Sequence, residues 1–156
     1  MAEHDVSALV ERLAQTPHRL AAAAAGKRPA ELAATPANDE WSALAILAHL
    51  RASDDILAPR LMMMLVRDEP PLPSYDERRW ADVMGYAEHE FQELPAAFTF
   101  KRAELVRALR RLSPSDWQRG GIHDEHGRIT LLDMLRHLVD HEDEHCRQIE
   151  TLLTAR

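Results

Sequence analysis

Apolar residues recur along most of the chain at the three-to-four-residue spacing of one helix face, and hardly anywhere at the alternating spacing of a strand. Val6, Leu9, Val10, Leu13 and Leu20 form such a face behind Asp5, a residue suited to capping a helix start. Pro17 either kinks this first helix or restarts it, and Gly26 stands where it should stop. Residues 27–38, with Pro29 and Pro36, read as a connector. A second helix is predicted from its N-cap Ser42 to Val66, on Leu44, Leu47, Leu50, Leu57 and Leu61. Pro59 should bend or split it. The proline-rich DEPPLPSYDE stretch reads as a loop, and Arg79 to Glu93 as a helix of mixed character. After Pro95 a third long helix is predicted to Leu112, on Ala97, Phe98, Leu105 and Leu109. Ser113 to Trp117 reads as a turn, and the glycine-rich residues 118–129 as an exposed loop. Thr130 with Asp133 resembles a capping pair opening a fourth helix that ends near Leu153. No internal repeat and no strand pattern of useful length is present. The expectation is all-α: one up-down four-helix bundle domain over residues 1–156.

Composition agrees. Ala, Leu, Arg and Glu dominate, and all favour helix. The net charge of −7, without a basic block, argues against nucleic-acid binding, because the run from Lys101 to Arg111 reads as the wet face of a helix. A single cysteine, Cys146, forbids an internal disulfide and fits a reducing compartment. The acidic, amphipathic N-terminus is unlike a signal peptide, and no apolar run approaches the roughly 20 residues of a membrane span. A cytoplasmic location without a membrane partner is expected.

The chemistry lies in the histidines. His137, His141 and His145 follow one another at intervals of four on the fourth helix, so each pair sits one turn apart on a shared face. Two imidazoles so spaced can bind one cation, as in helical metalloproteases. The string His141-Glu142-Asp143-Glu144-His145 matches that motif literally and admits a zincin reading. At about 100° per residue, His145 lies about 40° and His141 about 80° from the apolar centre set by Leu131, while His137 drifts about 120° away to the polar side. The same arithmetic buries Glu142, which then needs a partner. On the second helix His49, among Ala45, Ile46, Ala52, Ser53 and Ile56, should face inward with space beside it.

Four pieces in order carry a resemblance: Trp41-Ser42 with Ile46 to Leu50; Asp116-Trp117; Arg119 to His123 with Gly127, Thr130 and Leu131; and His137 to Ile149. In these the chain resembles the DinB-like (DinB/YfiT) superfamily. The resemblance implies an up-down bundle, often a homodimer, with one divalent metal ion held by three histidines. By position these are His49, His141 and His145. It demotes the zincin reading. Ala45 stands where the family often has an acid, so a capping box with Ser42 is missing. Arg147 stands where sulfoxide synthases of this fold carry a glutamate.

Nitrogen ligands suit zinc, nickel or iron. Family members include thiol S-transferases, a thiol-dependent isomerase and proteins described as metal-dependent hydrolases. The resemblance therefore implies an enzyme acting on a small electrophilic substrate, with a low-molecular-weight thiol or water as nucleophile. The alternative is a non-catalytic metal-stabilised binding or stress-response module. A plainer alternative has structural histidines and no metal. Glu142, His123, Asp54 and Asp55 are weak candidates for orienting substrate or moving protons. Asp54 and Asp55 read more simply as solvated helix charges, and His123 and His126 as loop residues near one end of the bundle. Cys146 reads as a packing residue, since it points about 100° from His145. Tyr75, Trp80, Tyr86 and Phe91 read as core, interface or pocket residues.

Overall fold

The computed structural model describes residues 3–36, 40–88 and 93–154. Its elements in order are α1 (Glu3–Ala24), α2 (Pro29–Ala33), α3 (Ala43–Val66), β1 (Pro71–Leu72), α4 (Glu77–Val83), α5 (Glu93–Leu109), β2 (Gly120–His123), β3 (Gly127–Thr130) and α6 (Leu131–Thr154). Short 3₁₀ turns occupy Tyr86–Glu88 and Asp116–Gln118. The long helices α1, α3, α5 and α6 form the expected four-helix bundle. Both α1 and α3 pack on α5 and on α6, which places α1 diagonally opposite α3. The helices consecutive along the chain thus include pairs across a diagonal, and long connections bridge them.

Local signals explain most helix ends. The Ser42 hydroxyl accepts the Ala45 backbone N–H at 3.1 Å, so α3 is capped without an acid at position 45. Thr130 and Asp133 form the reciprocal pair expected at the start of α6. Neither proline splits its helix: Pro17 lies inside α1 and Pro59 inside α3. Two readings need refinement. The connector after α1 carries the five-residue α2, started by Pro29. The mixed segment after the proline-rich loop is a seven-residue α4 and a 3₁₀ turn, separated at Gly85 (φ 65°).

The glycine-rich segment corrects the sequence reading. It is a β-hairpin, not an open loop: β2 pairs antiparallel with β3, and β1 adds parallel to β2. Strands of two and four residues are too short for a period-two signal. Gly120 and Gly121 are buried for steric reasons. A Cβ at Gly120 would lie 2.5 Å from the Ile129 carbonyl, and one at Gly121 would lie 2.8 Å from Leu72 and the Pro70 carbonyl.

The core falls into two apolar clusters. One gathers Leu9, Leu13, Leu57, Leu61, Leu105, Leu109, Leu131 and Leu135 near the hairpin. The other gathers Leu20, Ile46, Leu50, Phe98, Cys146 and Ile149. Between them runs a network of buried polar residues with a member from each long helix: Thr16, Asp54, Arg102 and Glu142. Arg102 donates to Asp54 at 2.9 Å and also to Glu142, whose other oxygen accepts the Thr16 hydroxyl at 2.7 Å. A buried charge is tolerated only when paired in this way.

Candidate metal centre

Ser42 starts α3 so that His49, two turns on, is buried at 7% exposure, facing α6. On α6 the four-residue spacing stacks His141 and His145, both half-buried, beside it. The three rings converge. Their centroids lie 4.9 Å (His49–His141), 4.7 Å (His49–His145) and 4.6 Å (His141–His145) apart. The Nε2 atoms of His49 and His141 are 2.9 Å apart. Trp41, just before the helix cap, packs against His49 at 5.0 Å and stacks on His145 at 6.2 Å. Arg78 lies over the same indole, 5.0 Å from the ring centroid.

Burial sets the protonation. Loss of solvent, aided by the neighbouring His145, lowers the His49 pKa to about 4 and the His141 pKa to about 3. Both rings are therefore neutral at pH 7 and carry a lone pair. His145 donates through Nδ1 to the Gln148 carbonyl oxygen at 2.8 Å, and in the neutral ring this leaves the Nε2 lone pair free. A partner on the far nitrogen, which fixes tautomer and ring orientation, is the usual companion of a metal-ligating histidine.

The residues fit a cation. One ligand atom from each of His49, His141 and His145 lies within 4.8 Å of the others. Two nitrogens bound to one ion at about 2.0–2.1 Å are roughly 3 Å apart, and the His49–His141 contact matches that spacing. The Nδ1 atoms of His49 and His141 are buried without a partner, so no second hydrogen bond fixes these rings. The convergent Nε2 atoms are what orients them.

The other sequence candidates lie elsewhere. Glu142 is buried as expected and finds its partners in Arg102 and Thr16, inside the core. Asp54 is not solvated; it is 2% exposed and bound to Arg102. Burial raises the pKa of both carboxyls, against the pull of Arg102. Asp55 accepts from Arg51, Lys101 and Tyr86. Cys146 is a packing residue whose thiol burial pushes up to about 12. Tyr86 belongs to the core, Trp80 is exposed, Tyr75 lines a cleft, and Phe91 lies outside the described residues. His137 is exposed, and its ring stacks 6.1 Å from that of His141. His123 and His126 stack on each other at 4.7 Å at the hairpin tip. Sequence reasoning gave no role to Gln148 or Arg102. The three-residue interval from His145 to Gln148 was a usable signal. Arg102 carried none, because its partners are distant in sequence.

A family model described as the DinB superfamily matches residues 12–149. Two Oceanobacillus iheyensis proteins named as candidate metal-dependent hydrolases are 26% and 23% identical, over 72% and 80% of this chain. The first match spans 64% of that relative's length and the second 71%. Bacillus subtilis YfiT, whose structure is described as a probable metal-dependent hydrolase with an unusual four-helix bundle topology, superposes with a TM-score of 0.89 at 21% identity, covering 97% of this chain and 87% of its own. The mycothiol-dependent maleylpyruvate isomerase superposes with a TM-score of 0.73 at 14% identity, covering 96% of this chain and 63% of its own. At these identities the likeness is one of fold.

Proposed function

The chain belongs to the DinB superfamily, and we propose that it is a metal-dependent enzyme in which His49, His141 and His145 hold one divalent ion. The observation that carries this reading is the convergence of three imidazoles from two helices on a common point. The names of its relatives support the same class. Three nitrogen ligands suit zinc, nickel or iron(II) and leave positions open; structural zinc sites are usually closed by four protein ligands. An ion bound there supplies Lewis acidity to a water or thiolate nucleophile.

The chain's own residues supply the rest. Burial keeps His49 and His141 unprotonated. Gln148 holds the His145 ring in one tautomer. Trp41 packs against the His49 and His145 rings and covers them on one side. The substrate class is a small electrophile, attacked by a low-molecular-weight thiol or by water. A reducing, cytoplasmic setting and a homodimer belong to the same reading.

Metal analysis of untagged protein tests the ligand set. Wild type should carry close to one ion per chain, and the His141→Ala, His145→Ala double variant almost none. Equal content in both overturns the site. Turnover of electrophilic substrates by metal-loaded protein, with and without a low-molecular-weight thiol, tests the enzyme reading. No turnover with zinc, nickel or iron(II) would leave a non-catalytic metal-binding module.

A further inference from the structure

A cleft of about 530 Å³ opens beside the three histidines, between α3, α6, the hairpin tip and the segment after β1. His137 lines it, and the His137 ring stacks directly on His141. The cleft is thus separated from the imidazole cluster by one ring. Its volume is within the range of small-molecule sites.

Arg60 lines this cleft at 9% exposure. Its guanidinium donates to the Pro73 carbonyl and lies over the Tyr75 ring at 4.9 Å. Among the described residues it forms no ion pair with a carboxylate. The contrast with the other buried arginines is direct: Arg51 pairs with Asp55, and Arg102 with Asp54 and Glu142. Nearby acids are engaged elsewhere. Asp124 accepts from the Ser74 backbone and hydroxyl, and Asp133 from Thr130. Arg128, also in the cleft, is paired with Glu69. Glu77 and Glu125 line the cleft without pairing with Arg60. A guanidinium carries five donors in a fork that matches a carboxylate or phosphate, and most of those of Arg60 have no acceptor from the protein.

His123 adds a second donor. Its Nδ1 accepts the Glu125 backbone N–H at 3.2 Å and lies 3.3 Å from Asp124 Oδ1 without hydrogen-bond geometry to it, so the neutral ring carries its proton on Nε2. That tautomer decides between two readings of the hairpin tip. His123, Glu125 and His126 are close enough to share a cation, but with Nδ1 already accepting a proton donor and Nε2 protonated, His123 offers no lone pair. It offers an N–H, which suits an anion.

We propose that this cleft binds the anionic group of a small organic acid or phosphate ester, between the Arg60 guanidinium and the His123 Nε2–H, with the remainder of the ligand directed past His137 toward the three histidines. The direction of the ligand rests on the metal-centre reading above; the anion site itself does not.

The test uses metal-free protein. Succinate, inorganic phosphate and the uncharged succinamide are titrated separately while backbone and Arg Nε–H resonances are followed. Saturable shifts are expected at the hairpin, Tyr75 and Arg60 with succinate, with phosphate or with both, and not with succinamide. The anion that binds more tightly identifies the group as carboxylate or phosphate. Arg60→Gln should weaken binding at least tenfold, and Arg60→Lys less. His123→Ala, at the hairpin tip and outside both apolar clusters, should weaken it severalfold. His145→Ala, chosen to abolish metal loading, should leave anion affinity within twofold. Failure of the metal reading therefore shows as unchanged metal content in His145→Ala, with anion binding intact. Absence of saturable shifts, equal binding of succinamide, or equal affinity in Arg60→Gln and His123→Ala overturns the anion site.

Discussion

The Arg102 guanidinium reaches the Glu142 carboxylate in the middle of the core, one residue along α6 from His141. The same guanidinium holds Asp54, five residues beyond His49 on α3. One arginine of α5 therefore ties together the two helices that carry the imidazoles.

Arg102→Met leaves the buried Glu142 without a cation and Asp54 with only the longer contact to Arg51, at 3.5 Å. Breaking a buried pair by removing one partner costs roughly 3–5 kcal/mol. Urea denaturation should show a loss of that order, with lowered metal affinity. Replacing Arg102, Asp54 and Glu142 together by apolar residues should recover much of the stability. A loss below about 1 kcal/mol for Arg102→Met would mean that the layer is hydrated.

Metal should stabilise the fold by mass action. At a free concentration 100 times the dissociation constant the gain is about 2.7 kcal/mol. Thermal unfolding of wild type should shift upward with added zinc or nickel and fall back with a chelator. His49→Ala should abolish the shift. An equal shift in that variant would place the ion elsewhere.

Acid should weaken the metal-free protein through His49 and His141. Their folded pKa values, about 4 and about 3, lie below the ordinary 6.5, so the unfolded chain binds more protons between these values. Their contribution is fully present above pH 6.5 and is lost as pH falls toward 3–4. The raised carboxyls Asp54 and Glu142 act in the opposite sense. The difference in unfolding free energy between wild type and His141→Ala isolates the histidine part. It should decline as pH falls from 6.5; a flat difference profile would contradict the neutral, buried ring.

Gly120→Ala forces a methyl group toward the Ile129 carbonyl, 2.5 Å away. Overpacking of this kind typically costs about 1–3 kcal/mol. Hydrogen exchange should show the pairing of β2 with β3 loosened, while helical amides of the second core cluster keep their protection. Unchanged exchange in the hairpin would contradict the close approach.

How much of this was legible in sequence depended on whether the determining contacts were local. The four helices, the Ser42 and Thr130 caps and the facing of His141 and His145 follow from spacings of three and four residues. His49 was identifiable because its helical neighbours are small or apolar. The hairpin was not legible, since its strands are shorter than any periodic signal and Gly120 and Gly121 read equally well as flexible loop. Asp54 was misread for a different reason. Whether a helical aspartate is solvated or buried is decided by a cation 48 positions away, and pattern reasoning along one helix does not see it. Arg60 was silent in the same way.

The band of Thr16, Asp54, Arg102 and Glu142 also restricts how the helices can slide past one another. A shift of α6 by one turn, about 5.4 Å, would strand a carboxylate among leucines and separate it from its guanidinium. Purely apolar interfaces tolerate such slippage far better. Only one vertical alignment of α3 with α6 keeps the charges matched, and in that alignment the imidazoles of both helices stand at the same height.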